Sequence, residues 1–201
     1  RKLEIDSRFW NEQSKQAIRG DILRVLIELI TNSNDSYIEL ENNGEEISGE
    51  IIVEITRKPK SKNSIIKVRD EAQGMARVEV EDAVGSYGKA TSTFHQTGHG
   101  TSRGFHGRGL KDAILGLGEG HIHSFKKGHY NHAWIDDEKM FNLDAAIKSD
   151  RKLLEKYRIK GIGNSERHGT IVQINISNPG IKIPTFETIE NKLRTHFELR
   201  E

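Results

Sequence analysis

The sequence contains no cysteine, only three prolines and few aromatic residues, which make up 6% of its 201 positions. Because there is no thiol, disulfide bonds, thiolate metal sites and a cysteine nucleophile are excluded. The formal net charge is only +1, so the overall charge gives no reason to expect a nucleic-acid or membrane partner. No apolar run is long enough to span a bilayer and no signal peptide is evident, so we expect a cytoplasmic protein, or a nuclear one if it is eukaryotic.

The composition itself is typical of a globular protein, with 30% charged and 34% hydrophobic residues. The length suits a single well-cored domain over residues 1–201. Because the chain begins at Arg1 rather than Met, we expect it to be the N-terminal fragment of a larger protein. Helical and strand patterns interleave without regular βαβ spacing. This order predicts an α/β two-layer sandwich, in which helices on one face cover a mixed, mostly antiparallel sheet.

Hydrophobic periodicity places the individual elements. Apolar residues recur at helical spacing in five segments and at strand spacing in five others. Helices are predicted at 14–42, 77–85, 144–158 and 185–199 and from Leu110 onward, and strands at 50–57, 64–70 and 169–176, with two more within 119–136 that join at Lys127-Gly128.

The first helix has a polar centre that is costly in a helix interior. At about 100° per residue, Glu28, Asn32 and Asp35 lie within a stripe roughly 60° wide, opposite Ile22 and Leu26. Two carboxylates and an amide on one face could hold a hydrated divalent cation and orient a water molecule. A solvated polar stripe is the alternative, and this segment alone does not decide between them.

Asp70 ends an apolar strand face that also carries Ile66 and Val68. A buried carboxylate needs a hydrogen-bond donor, and the amine of a ligand could supply one. The turn that follows contains Gly74 and Met75. An aspartate that merely caps this turn is the alternative, and for this segment alone it is the preferred one.

Glycine is concentrated in one part of the chain, since ten of the 19 glycines lie between Gly85 and Gly120. The centre of this stretch, Gly104 to Ala113, leads into a predicted helix. Backbone N–H groups at such a helix start can cradle phosphate, although flexible loops often have the same composition. The spacing fits neither a Walker loop nor a dinucleotide-binding fold.

Thr170, closer to the C-terminus, is in phase with the apolar face of a predicted strand. Its hydroxyl either contacts a ligand or belongs to an ordinary strand threonine, and for this segment alone the second interpretation is preferred.

Together, these four segments resemble the conserved boxes of the GHKL ATPases, the superfamily of gyrase B, the ninety-kilodalton heat-shock chaperone, histidine kinases and MutL. In chain order they are Glu28 to Ser36, Asp70 to Met75, Gly104 to Leu110, and Gly169-Thr170. The order and the spacing fit, and the resemblance covers essentially the whole chain. In addition, Gly85 to Ser92 resembles the start of the ATP lid in the chaperones and the related MORC proteins.

The resemblance implies the Bergerat fold, with ATP and Mg²⁺ as ligands and a mobile lid at about 76–106. It implies that Glu28 is the catalytic base, that Asn32 binds magnesium, and that Asp70 accepts from the adenine amino group, with Thr170 nearby through a water. Backbone amides near Leu110 would contact the phosphates. The positions carried over as nucleotide-binding are Asn32, Asp35, Asp70, Gly74, Met75, Lys89, Gly104, Gly107, Arg108, Gly109, Leu110, Lys111 and Thr170.

The second box departs from the family pattern, because Ala72 stands where the family usually has glycine. If this position requires a positive φ, alanine is strained by about 1 kcal/mol or more. Glu28 favours hydrolysis over phosphotransfer, because histidine kinases generally lack that carboxylate. A histidine site for zinc at His121, His123, His129 and His132 is weakly supported, since the positions are strand-like and no cysteine accompanies them.

The expected function is therefore an ATP-hydrolysing conformational switch that forms a nucleotide-dependent homodimer. A nucleotide-sensing scaffold with little turnover and a histidine kinase catalytic domain are the alternatives. Nucleic acid would be a partner only through the full-length protein, and no membrane partner is expected. The fold does not identify the client.

Overall fold

The computed structural model describes residue 16 and residues 20–45, 49–58, 63–85, 109–159, 167–178 and 180–196. Within these residues the helices are α1 (Ile22–Asn42), α2 (Arg77–Gly85), α3 (Gly109–Leu117), α4 (Arg151–Lys156) and α5 (Phe186–Thr195). The strands are β1 (Ile52–Thr56), β2 (Ser64–Asp70), β3 (Gly118–Lys126), β4 (His129–Ile135), β5 (Phe141–Leu143), β6 (Ile147–Lys148) and β7 (Gly169–Ile176).

The strands form one sheet in the order β1-β2-β7-β3-β4-β5, and β6 pairs with β4. Every pairing between these strands is antiparallel. The last of the described strands along the sequence, β7, therefore lies in the middle of the sheet between β2 and β3. In this register Asp70 at the end of β2 lies opposite Thr170 at the start of β7.

One face of the sheet is covered by helices, as the sequence predicts. The main core contains apolar side chains from α1, α3 and α5, packed on one face of β2, β3 and β7; among the fully buried ones are Leu26, Ile66, Ile114, Ile122 and Ile174. The short helix α4 packs a second, smaller cluster on the opposite face, against Phe125 and Ile171. The α/β sandwich with its antiparallel sheet and helical layer is thus confirmed. Asp70 and Thr170 are in phase with the strand residues that face α1 and α3.

The predicted helix boundaries are wrong where a capping residue intervenes. A single helix was expected from residue 14, but α1 begins at Ile22, because Asp21 adopts an extended conformation and its side chain accepts from the N–H of Leu23 at 2.9 Å. The helix expected at 144–158 is likewise shorter, since Asp150 caps α4 and the two-residue strand β6 precedes it. Among the described helices, none is both long and apolar enough to cross a membrane.

Candidate functional site

Asp70 is the buried polar centre of the site, with only 4% of its surface exposed. Its Oδ2 accepts a hydrogen bond from Ser33 Oγ at 2.9 Å, and its Oδ1 accepts from the backbone N–H groups of Ala72 at 3.1 Å and Thr170 at 3.2 Å. A carboxylate can accept about four hydrogen bonds, and protein donors supply three of them here. One position is left for a donor on a ligand.

Burial raises the pKa of Asp70 from 3.8 to about 6, against the hydrogen bonds from Ser33, Ala72 and Thr170, which lower it. At neutral pH the carboxylate is ionised, but in an environment that disfavours its charge. A further hydrogen-bond donor would therefore be bound favourably there.

The turn after Asp70 is held by side chains from several elements. Tyr37 Oη accepts from the N–H of Glu71 at 3.0 Å, and Ser36 Oγ accepts from the N–H of Gln73 at 3.3 Å. Both acceptors lie on α1. The turn is consequently fixed relative to the helix that carries the first box, so the two boxes form one rigid unit.

Met75 is held from the other side of the turn, by the sheet. Ser124 Oγ accepts from its N–H at 2.6 Å, and Asn131 Nδ2 donates to its carbonyl at 3.0 Å. Ser124 also lies 3.4 Å from the hydroxyl of Thr170. Ser33 and Ser124, which the sequence reasoning missed, thus connect the second box to the first and the fourth.

Gly74 is required by its backbone position. Its φ is +63°, and a Cβ built on it would lie 1.9 Å from the carbonyl oxygen of Phe125. A side chain here would strain the backbone and displace β3. Ala72, by contrast, is not among the residues with positive φ and is 1% exposed. Alanine at position 72 is therefore free of the backbone strain that a positive φ would cause, and its methyl group is buried.

Glu28 and Gly109 meet where α1 approaches the start of α3. A Cβ built on Gly109 would lie 1.8 Å from Glu28 Oε1 and 2.1 Å from its carboxyl carbon. The carboxylate therefore lies directly against the first residue of α3, where only glycine leaves room for it. Because backbone N–H groups at a helix start carry partial positive charge, this position favours a negatively charged group.

The remaining predicted residues of α1 and α3 differ in exposure. Asn32 is exposed, whereas Asp35 and Leu110 are half-buried. Lys111 is among the most deeply buried side chains at 2% exposure, and burial lowers its pKa. Lys111 is therefore a buried lysine in the first turn of α3, two residues after Gly109.

Four of the predicted nucleotide-binding residues lie outside the described residues, as does most of the predicted lid; they are Lys89, Gly104, Gly107 and Arg108. Of that lid the structure describes residues 76–85, which contain α2. Within the described ranges, no group of three or more His, Asp or Glu side chains could hold a metal ion.

Comparison with known proteins gives a family from one search and a fold from another. A family model described as "Histidine kinase-, DNA gyrase B-, and HSP90-like ATPase" matches residues 21–170. Among solved structures, the ATPase and transducer domains of DNA topoisomerase II from Balamuthia mandrillaris match with a TM-score of 0.57 at 12% identity, over 78% of this chain. The match spans 37% of the topoisomerase chain, so it shows the fold of this part alone. No curated protein matches the sequence.

Proposed function

The chain belongs to the family of histidine kinase-, DNA gyrase B- and HSP90-like ATPases, and from that premise we propose that it binds ATP with magnesium and hydrolyses the terminal phosphate. The observation that carries this proposal is the environment of Asp70. A buried carboxylate with a raised pKa and a spare acceptor position suits the amino group of adenine, which donates but carries no charge.

The site also fits the other parts of the nucleotide. Asn32 is exposed on the same helix face as Glu28, and magnesium needs few protein ligands because phosphate oxygens and waters complete its shell. When bound, the ion would neutralise charge on the phosphates. Lys111 and the first amides of α3 would supply further positive charge to the phosphate end.

Glu28 is the residue that favours hydrolysis. Its carboxylate lies against Gly109 at the start of α3, the element expected to hold the phosphates. In the proposed step Glu28 takes a proton from a water molecule as the water oxygen attacks the terminal phosphorus, and the bond to ADP breaks. Glu28 acts through orientation and proton transfer, as general bases in phosphoryl transfer do.

Nucleotide binding is tested by thermal unfolding with and without millimolar Mg-ATP. Binding to the folded state raises the melting temperature by mass action. Asp70→Ala should abolish this rise, whereas Asp137→Ala, an exposed aspartate in the β4–β5 turn, should leave it unchanged. If the parent protein is folded and its melting temperature is the same with and without Mg-ATP, the proposal is contradicted.

The chemical outcome is tested by following labelled terminal phosphate. Release to water supports an ATPase, transfer to protein supports a kinase, and binding without turnover supports a nucleotide-sensing scaffold. The assay should be run at several protein concentrations, because pairing of two copies can accelerate a slow module.

We further propose that ATP drives pairing of two copies, as the switch hypothesis requires. The chain should be a monomer alone or with ADP and should form dimers with a non-hydrolysable ATP analogue. Analytical ultracentrifugation in the three states measures this. The same mass in all three states would refute the dimerisation switch, and it would not bear on ATP binding or hydrolysis.

A further inference from the structure

Four polar side chains lie side by side across the sheet. Asp70 on β2 pairs with Thr170 on β7. Ser124 on β3 pairs with Thr170 on one side and with Asn131 on β4 on the other. Ser124 is 0% exposed and Asn131 is 2% exposed. The proposed function uses the first two residues of this row, but it gives no role to Ser124 and Asn131, whose polar groups are costly to bury.

Ser124 and Asn131 hold both backbone polar groups of Met75. Ser124 Oγ accepts from the N–H of Met75 at 2.6 Å, and Asn131 Nδ2 donates to its carbonyl at 3.0 Å. Met75 is thereby fixed against two neighbouring strands. Because its N–H occupies one of the two acceptor positions of the Ser124 hydroxyl, the place of that oxygen is fixed as well.

The single hydrogen of the Ser124 hydroxyl has two acceptors within reach. The carbonyl oxygen of Gly169 and the hydroxyl oxygen of Thr170 both lie 3.4 Å from Ser124 Oγ. Distance therefore favours neither of them. When Ser124 donates to Thr170, the hydrogen of the threonine hydroxyl is free for a ligand. When Ser124 donates to Gly169, Thr170 can give its hydrogen to Ser124 instead.

We propose that Ser124 is a positioning residue of the nucleotide site, which directs the hydroxyl hydrogen of Thr170 towards ring nitrogen N1 of the base. This inference rests on the proposed binding of ATP. Asp70 accepts from the N–H of Thr170 at 3.2 Å, so the two residues are held together. Asp70 offers an acceptor and Thr170 a donor, and the edge of adenine presents the complementary pair, an amino group beside N1.

Ser124 acts on the base only through Thr170. By donating to the threonine oxygen, it leaves the threonine hydrogen for N1, either directly or through one water molecule. Asn131 supports this arrangement one step further away, since it fixes Met75 and so the N–H group that holds Ser124 Oγ.

Two nucleotides that differ at N1 test the proposal. Calorimetry measures the dissociation constants of Mg-ATP and of Mg-1-deaza-ATP, which keeps the amino group but has a C–H group in place of N1. Ser124→Ala should weaken binding of Mg-ATP by about two- to tenfold, the value of one neutral hydrogen bond. It should leave binding of Mg-1-deaza-ATP unchanged. Equal weakening for both nucleotides, or none for either, would overturn the positioning role.

Ser64 provides a matched control. It is also a strand serine with 0% exposure, and its hydroxyl also accepts from a backbone N–H, that of Lys58 at 2.8 Å. Ser64 is the first residue of β2 and Asp70 the last, so they lie about 20 Å apart. Ser64→Ala should lower the melting temperature but bind both nucleotides as the parent does. The same selective loss of Mg-ATP affinity in Ser64→Ala would trace the effect to general destabilisation and overturn the proposal.

Thr170→Val tests the route by which Ser124 acts, because valine resembles threonine in shape but has no hydroxyl. In this background Ser124→Ala should cause no further loss of Mg-ATP affinity. Additive losses would show that Ser124 acts independently of Thr170 and would overturn the route.

Ser124→Cys covers the case in which Ser124→Ala fails to fold. A thiol can still face the N–H of Met75, but it is a weak donor, so the same selective loss is expected. A parent protein that binds neither nucleotide would contradict the proposed function itself. A parent that binds Mg-ATP, with Ser124 variants that discriminate between the two nucleotides as the parent does, would contradict only the role of Ser124.

Discussion

Replacing Asp70 by asparagine should make the protein more stable at alkaline pH while abolishing nucleotide binding. Asparagine can keep the protein contacts: its Oδ1 accepts from the N–H groups of Ala72 and Thr170, and its amide nitrogen donates to Ser33, whose hydroxyl can rotate to accept. Towards the adenine amino group, however, it would present a donor to a donor. Stability and binding should therefore change in opposite directions.

The magnitude follows from the pKa of Asp70, which is about 6 in the folded protein against 3.8 without burial. Because the folded state holds the proton more tightly, the contribution of Asp70 to stability is fully present below pH 3.8 and is lost as pH rises through 6. A difference of about two pH units, at about 1.4 kcal/mol each, is about 3 kcal/mol. Asparagine has no proton to lose and avoids this cost.

Urea unfolding of both proteins at pH 4 and pH 8 measures the effect. The two should have similar free energies of unfolding at pH 4, and Asp70→Asn should be more stable by about 3 kcal/mol at pH 8. Other titrating groups are common to both proteins and cancel in the difference. The same pH dependence in both, or a less stable Asp70→Asn at pH 8, would refute a buried ionised carboxylate.

Ser33→Ala completes a double-mutant cycle around the same carboxylate. In the parent at pH 8 it should cost about 1.5–3 kcal/mol, the value of a hydrogen bond to a charged group. In the Asp70→Asn background the cost should be smaller, because the acceptor is neutral. Equal costs in both backgrounds would show that Ser33 stabilises the fold independently of the charge on Asp70.

Two further substitutions test the catalytic and backbone assignments. Glu28→Gln should retain the ATP-dependent rise in melting temperature but lower phosphate release by about 10²–10⁴-fold, and release at the parent rate would disprove Glu28 as the base. Gly74→Ala should destabilise the fold more than Gly128→Ala in thermal unfolding. Both glycines have positive φ, +63° and +71°, so both substitutions pay about 1–2 kcal/mol of strain, but only Gly74 faces a backbone atom, Phe125 O. Equal losses would contradict the close contact with β3.

Sequence patterns predicted those elements in which a clear hydrophobic period ends at recognisable turn residues. The strands at 64–70 and 169–176 have the predicted bounds, since alternating apolar residues lie between clear turn residues. The hairpin at Lys127-Gly128 is also confirmed, with φ of +49° and +71° at these two residues. The two- and three-residue strands β6 and β5 were not predicted, because segments this short carry no period.

The site was predictable to the extent that its residues have local signals. Asp70 and Thr170 were predicted at their strand ends, and the register places them side by side. Ser33 was missed, although its spacing from Leu26, Leu29 and Tyr37 already places it on the buried side of α1. The contact between Glu28 and Gly109 has no local signal, because it arises from the packing of α1 against α3.

The central position of β7 has a consequence for synthesis of the chain. Until residue 176 has left the ribosome, β1-β2 and β3-β4 are separate hairpins, each with an open edge where β7 will insert. Such edges are templates for intermolecular pairing, and pairing between distant parts of a chain is slow. Nascent chains truncated before Gly169 should therefore aggregate or recruit chaperones, and folding should become cooperative only once the final strand closes the sheet.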